Sequence, residues 1–128
     1  MNLPIILDGA MGSELIKRGI ILPQHIWSAH ANIHFPHIVK KIHEDYIQSG
    51  SQIIITNTFR TTPRAYKKTG LSIKKANSTA YKSHQLAIDL ANAAKNTKTI
   101  VLGSIAPLED CYMPELFPGK KIAENEFK

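Results

Sequence analysis

The amino-acid sequence predicts an α/β fold in which short parallel strands alternate with helices. Two observations carry this prediction. Three short apolar segments are spread along the 128 residues, and the stretches between them repeat apolar residues at the 3.6-residue interval of amphipathic helices. The resulting order is strand, helix, strand, helix, strand. Because helical crossovers return the chain to the same end of a sheet, we expect the strands to be parallel neighbours.

The three predicted strands are apolar along most of their length. Such runs are typical of parallel strands that are covered on both faces, and the second run is rich in β-branched residues. The predicted strands are Leu3–Leu7, Gln52–Thr56 and Thr99–Gly103.

Proline, serine and glycine residues mark the ends of the predicted helices. A short helix, Gly12–Arg18, should stop at Gly19 in a left-handed conformation. Pro36 should open the next helix, at a position where a missing N–H costs nothing, and Gly50 should end it. Ser72 should cap a long third helix that runs to the third strand.

The remaining segments carry weaker signals. We expect Ile20–Phe35 to be irregular, Arg60–Gly70 to be a loop or short helix, and Ile122–Lys128 to be the start of a further helix. His43 and His84 lie within predicted helices, where a position at the surface or rim is expected.

The composition limits the class of protein. Hydrophobic residues make up 43% and charged residues 20%, as in ordinary globular proteins. The apolar runs are too short to cross a bilayer, a secretory signal pattern is absent, and the single cysteine, Cys111, cannot form an internal disulfide. We therefore expect a cytoplasmic protein without membrane partners. The net charge of +6 comes from scattered basic residues, which favours solvated helix faces over a nucleic-acid surface.

Polar or glycine-containing segments follow all three predicted strands: Asp8–Gly12, Thr56–Phe59 and Gly103–Ala106. In parallel α/β sheets, binding and catalysis collect beyond the carboxyl ends of the strands. Asp8 could accept hydrogen bonds from a substrate ammonium while the following glycines and free N–H groups receive an anion, so this segment could hold an amino acid. Alternatively, Asp8 caps the helix and the glycines only form a tight turn.

These segments, with several other landmarks in the same order, resemble the homocysteine S-methyltransferases. The resemblance spans nearly the whole chain, and the ordered set is more specific than any single match. The matching segments are Leu7–Leu15, Arg18–Gly19, Trp27, His43–Gly50, Ile54–Phe59 and Gly103–Pro107.

The resemblance implies the N-terminal part of a (β/α)8 TIM barrel that transfers a methyl group to the sulfur of homocysteine, giving methionine. In this family a zinc ion binds the homocysteine thiol and lowers its pKa, so that the thiolate attacks the methyl donor. The implied donor is of the S-methylmethionine, S-adenosylmethionine or betaine type. Residues 1–128 would form an incomplete homocysteine-binding barrel domain.

The resemblance also implies a substrate site at the end of the first strand. Asp8 would hold the ammonium group of homocysteine. The backbone N–H groups of Gly9, Ala10 and Met11 would receive its carboxylate.

Residues after the second strand, and two aromatic residues, would complete this site. Thr56 and Asn57 would line the floor of the pocket. Trp27 and Phe59 would lie on the methyl-donor side, because an aromatic face attracts an onium charge. Alternatively, Trp27 covers the rim of the barrel and Phe59 packs in the core.

The zinc ligands of the family lie outside this sequence. They are three cysteines on later strands, whereas the sequence ends after the third predicted strand. Cys111 follows that strand and matches none of them. The histidines are an unfavourable substitute, because Pro36 interrupts the helix that would align His30, His34 and His37. We therefore predict neither a catalytic residue nor a metal ligand in this chain.

A truncated barrel should be inactive alone in methyl transfer, and its open sheet edges should favour self-association. Two other interpretations stay open. The chain could be a small basic α/β module that binds nucleic acid or another anionic ligand. It could also be a noncatalytic remnant that folds with a partner chain carrying the missing strands.

Overall fold

A computed structural model of the chain describes residues 3–128. The helices are α1 (Met11–Lys17), α2 (Ala29–His34), α3 (Pro36–Gln48), α4 (Pro63–Lys67), α5 (Ile73–Ala94) and α6 (Lys120–Glu126), with a 3-10 turn at Pro114–Leu116 before the last. The strands are β1 (Ile53–Ile55) and β2 (Ile100–Leu102).

The two strands pair in parallel, as the alternation of strands and helices predicted. Ile53 lies opposite Ile100 and Ile55 lies opposite Leu102. The connection between the strands contains α5, so the pair is a β-helix-β unit whose strands point their carboxyl ends to the same edge.

The first predicted strand, Leu3–Leu7, is shorter in the structure than expected. Its extended chain meets β1 through a single parallel bridge between Leu7 and Ile53. Two backbone bonds flank this bridge, from the N–H of Asp8 to the oxygen of Ile53 (2.9 Å) and from the N–H of Gln52 to the oxygen of Ile6 (2.8 Å). The segment lies at the edge of the sheet with one partner, and its proline cannot donate a ladder bond, which explains the shortening. The prediction of three parallel neighbours is nevertheless confirmed in direction and order.

The predicted helix signals are largely confirmed. Gly19 and Gly50 follow α1 and α3 with φ angles of 81° and 107°, in the region that glycine adopts without strain. Ser72 Oγ accepts the N–H of Lys75 at 3.3 Å and caps α5.

The prediction that Ile20–Phe35 is irregular is wrong for its last part, because Ala29–His34 forms α2. Phe35 has a φ angle of −138°, so the restriction that Pro36 places on its predecessor ends one helix and starts the next. The proline breaks the helix at one residue and leaves the preceding turns intact.

The helices pack as a layer around α5. Small side chains on one side of α5 (Ala76, Ala80, Ala87 and Ala91) are fully buried and let α2, α3 and α4 approach closely. A second cluster joins α1 to α3 through Leu15, Val39 and Ile42. Among residues 3–128, no helix combines the length and the apolar character that crossing a membrane requires.

One side of the sheet is left uncovered by the described residues. Ile54 of β1 is fully buried, whereas Ile53 and Ile55, whose side chains point to the other side of the sheet, are only partly buried. Ile100 is 54% and Leu102 46% exposed. Because side chains alternate along strands and paired residues share a side, the following residues form one apolar surface, here called the open sheet face: Leu7, Ile53, Ile55, Ile100 and Leu102.

His43 contradicts the prediction of a surface position, because its side chain is completely buried. It lies on α3 four residues after Val39 and one after Ile42, and therefore on the buried side of the helix. Neither ring nitrogen has a hydrogen-bond partner among residues 3–128. Burial disfavours the imidazolium and lowers the pKa of His43 to about 4.

Candidate functional site

Asp8 lies where the first extended segment meets α1, and it is anchored to the neighbouring strand. Its Oδ2 accepts the N–H of Ile55 at 2.9 Å, while its own N–H bonds to Ile53. Burial raises the pKa of the Asp8 carboxyl, although the Ile55 bond opposes the rise. The N-terminal flanking residue of α1 is Ala10, without a side-chain cap. Asp8 therefore does not cap α1.

The loop after Asp8 lies against Tyr46 of α3. Tyr46 Oη donates to the carbonyl oxygen of Ala10 at 3.2 Å. A Cβ on Gly9 would lie 2.7 Å from Tyr46 Oη, so the ring can occupy this position only beside a residue without a side chain. Gly9 and Ala10 are exposed, and Met11 is partly buried against the α1–α3 cluster.

Trp27 is brought to the same loop from a distant part of the sequence. A Cβ on Gly12 would lie 2.6 Å from the indole Nε1, which shows that the ring packs directly on this glycine. The side chain is 43% exposed. One part of the indole is therefore open to solvent next to the Asp8–Gly12 loop.

Thr56 and Thr58 connect the ends of β1 and β2. The N–H of Thr56 bonds to the oxygen of Leu102 at 2.8 Å. Thr58 Oγ1 donates to the oxygen of Ser104 at 2.7 Å and lies 2.9 Å from Thr56 Oγ1. Because the Thr58 proton is used on Ser104, Thr56 donates to Thr58. Thr56 and Thr58 also line a cleft of about 520 Å³ between α5 and β2.

The Asn57 side chain lies at the centre of a buried polar network. Its Nδ2 donates to the backbone oxygen of Ser28 and to Asn32 Oδ1, both at 2.8 Å. Its Oδ1 accepts the Ser28 hydroxyl at 2.7 Å. Asn32 Nδ2 bonds in turn to Ser83 Oγ on α5 at 3.2 Å. Sequence reasoning missed Ser28, Asn32 and Ser83, and isolated polar residues give no signal of burial.

Phe59 follows this network and is half-buried. The guanidinium carbon of Arg60 lies 5.5 Å from the centre of its ring. The aromatic face on this side is therefore shared with a cation of the chain itself.

The described residues offer no set of ligands suited to zinc. Within residues 3–128, no group of three or more histidine, cysteine, aspartate or glutamate side chains could hold a metal ion. Cys111 is exposed. The rings of His30 and His34 stack at 4.3 Å between centroids. Structural and catalytic zinc sites need three or four convergent ligands, which the side chains of residues 3–128 do not supply.

The fold and the site define a parallel α/β protein whose polar strand ends share one edge, with an anchored carboxylate at the first of them. A sequence model of the family described as homocysteine S-methyltransferase matches residues 5–128. The chain belongs to the homocysteine S-methyltransferase family.

Similar proteins extend well beyond this chain. It is 33% identical over 108 residues to the homocysteine S-methyltransferase of Escherichia coli, and the alignment covers 80% of this chain and 35% of that relative. It is 33% identical over 85 residues to homocysteine S-methyltransferase 3 of Zea mays, covering 66% and 25%.

A solved structure shows the same relation. The metallated form of the homocysteine methyltransferase MmuM from Escherichia coli superposes with a TM-score of 0.62 at 34% identity, over 80% of this chain and 38% of that one. The chain therefore spans between a quarter and two fifths of the proteins it matches.

Proposed function

We propose that this chain forms the homocysteine-binding part of a (β/α)8 TIM-barrel S-methyltransferase, which transfers a methyl group to homocysteine and contributes to methionine biosynthesis. Family membership supports the class of reaction. The anchored carboxylate of Asp8 is the observation that carries the substrate assignment. One of its oxygens is fixed by Ile55, and the other remains able to accept an ammonium hydrogen bond beside an exposed glycine loop.

The proposed substrate contacts follow the loop. Asp8 would bind the ammonium group. The N–H groups of Gly9, Ala10 and Met11 make no hydrogen bond to the described residues and would receive the carboxylate. The hydroxyl-bearing Thr56 would lie on the floor of the pocket.

Trp27 would face the methyl donor, an onium compound such as S-methylmethionine, S-adenosylmethionine or betaine. Its exposed indole next to the loop supports this assignment. Phe59 is the second proposed donor-side residue, although its ring already has a cationic neighbour in Arg60. Asn57, the sixth residue of the predicted substrate site, is buried, and its side-chain amide donates to Ser28 and Asn32.

The ligands for the catalytic zinc of the family would come from outside residues 1–128. In our proposal, these residues form an incomplete barrel domain. We expect no methyl transfer by the isolated chain. A cytoplasmic location remains a prediction from the single cysteine. The alternatives of a basic binding module and of a noncatalytic remnant also remain predictions, and salt-dependent affinity for DNA or RNA would favour the first of them.

Replacement of Asp8 by asparagine tests the substrate assignment. Asp8→Asn keeps an oxygen for the Ile55 N–H and removes the charge that the ammonium needs. We expect affinity for L-homocysteine to fall about tenfold or more, since a hydrogen bond to a charged group contributes about 1.5–3 kcal/mol. Titration followed by NMR or calorimetry measures the effect.

Asp89→Asn on the exposed side of α5 is the matched control and should bind like the parent chain. Because burial raises the pKa of Asp8, binding should also weaken on acidification earlier than an ordinary aspartate would predict. Unchanged affinity in Asp8→Asn would contradict the assignment.

Self-association through the open sheet face is the second part of the proposal. Apolar side chains along paired strands and an unpaired edge favour contact with a second copy of the chain. Ile100→Lys places a charge on this face and should shift the chain towards monomers, as measured by sedimentation at several concentrations. Tyr81→Lys changes a side chain that is 74% exposed on α5 and should not. A parent chain that is monomeric at every concentration would refute this part.

A further inference from the structure

The backbone of Trp27 is held in a strained conformation. Its φ angle is +44°, and it is the single non-glycine residue with positive φ within the described part of the chain. The left-handed region costs a residue with a side chain about 1–2 kcal/mol. Such a conformation persists only where the surroundings enforce it.

Trp27 and the residue that follows it are both held by hydrogen bonds. The N–H of Trp27 bonds to the oxygen of Pro23 at 2.8 Å, and its oxygen accepts the N–H of His30 at 3.2 Å. The next residue, Ser28, is held at two points by Asn57. The Ser28 oxygen accepts Asn57 Nδ2, and the Ser28 hydroxyl donates to Asn57 Oδ1.

Asn57 is itself rigidly placed. It lies two residues after the end of β1 and is only 5% exposed. Its backbone oxygen accepts Asn32 Nδ2 at 3.0 Å, and the same amide reaches Ser83 on α5. Ser83 Oγ donates to the oxygen of Ala29 at 3.3 Å. The end of β1 and the longest helix thus both contribute residues to the network that holds the Asn57 amide.

We propose that Asn57 is a positioning residue, whose buried amide grips Ser28 and so holds the indole of Trp27 on Gly12. The indole in turn limits the position of the Asp8–Gly12 loop. The positioning of Trp27 follows from the contacts alone, whereas its consequence for substrate rests on the proposed function.

The hydrogen-bond capacity of Asn57 supports this role over direct contact with substrate. An asparagine amide has two donor hydrogens. Both are used, on Ser28 and on Asn32, and the oxygen already accepts one bond. A substrate acceptor could reach the amide hydrogens only by breaking a buried bond of the network, leaving a partner unsatisfied, and the residue is only 5% exposed.

Fluorescence tests the proposal directly, because Trp27 is the only tryptophan in the sequence. In Asn57→Ala, we expect the emission maximum to shift to longer wavelength. The acrylamide quenching constant should rise by up to roughly twofold, since the indole starts 43% exposed and its release uncovers the remainder. Far-UV circular dichroism and thermal unfolding report whether the fold is kept.

Ser28→Ala provides a second, milder variant if Asn57→Ala does not fold. It removes the hydrogen bond from the Ser28 hydroxyl to Asn57 Oδ1 and leaves the bond from Asn57 Nδ2 to the Ser28 backbone oxygen. We expect a smaller change of emission in the same direction. Gly12→Ala displaces the indole from the other side and should change the emission with Asn57 intact.

Ser83→Ala distinguishes an effect on the position of the Trp27 indole from a general loss of stability. It removes the far end of the network, so we expect lower stability with the emission and quenching of the parent chain. Folded Asn57→Ala and Ser28→Ala variants with parental fluorescence would overturn the proposal. The positioning proposal and the proposed function can fail separately. The fluorescence measurement uses no homocysteine, and the Asp8→Asn titration measures homocysteine affinity without depending on the fluorescence of Trp27.

Discussion

Acidification from pH 7 to pH 4 should destabilise the folded chain by about 3 kcal/mol through His43 alone. The pKa of this buried histidine is about 4 in the folded chain, against 6.5 for an ordinary histidine. Between these values the unfolded chain binds a proton that the folded chain does not. Stability therefore falls as the pH drops from 6.5 to 4 and is constant with respect to His43 above that window.

Urea unfolding at pH 7, 6 and 5 measures this effect in the parent chain and in His43→Leu. About 2 kcal/mol of the loss should be present by pH 5, before most carboxylates titrate. Burial and His34 also lower the pKa of His30. His30 therefore also destabilises the folded chain on acidification. This contribution is common to the parent chain and His43→Leu, so it cancels when the two are compared.

His37→Leu is the matched control, since His37 lies on the same helix and is exposed. We expect it to keep the parental pH dependence, whereas His43→Leu should be more stable than the parent at pH 5. Equal slopes in all three chains would show that His43 is not buried in solution.

The second large effect is expected from Leu15→Ala, which should cost about 2–5 kcal/mol of unfolding free energy. Leu15 is completely buried between α1 and α3, where it packs with Val39 and Ile42. Its truncation leaves a cavity beneath the helix that follows the Asp8–Gly12 loop. Chemical denaturation measures the loss directly.

Ile16→Ala controls for the change in helix propensity and side-chain volume. Ile16 is the next residue of α1 and is 51% exposed. Its truncation should cost less than about 1 kcal/mol, as at other surface positions. Similar losses in the two variants would contradict the packing of α1 described above.

The order of elements and the direction of the strands were predictable from local chemistry. β-branched runs separated by helical periodicity define parallel strands, and glycines after α1 and α3 mark helix ends because few other residues adopt their φ angles. The extent of the first strand was not predictable, because pairing depends on neighbours that the segment itself does not encode. Leu3–Leu7 has one neighbour and a proline, and forms one bridge.

The site was predictable in its positions but not in its internal contacts. Asp8 and Thr56 follow strands, so their placement at one edge comes from topology. The bond from Ile55 to Asp8 and the network around Asn57 join residues 25–54 positions apart, and such pairings leave no periodic trace. The burial of His43 did leave one, since it falls on the stripe formed by Val39 and Ile42, but its residue type suggested the surface.

The open sheet face also changes how this protein should respond to denaturation. The slope of unfolding free energy against urea, and the heat capacity of unfolding, both scale with the apolar surface that becomes newly hydrated. A monomer whose strands already present Ile100 and Leu102 to water has less left to hydrate than a domain of equal length with both sides of its sheet covered. Its unfolding should therefore be less cooperative, and a second copy seated on those strands would restore the steeper transition.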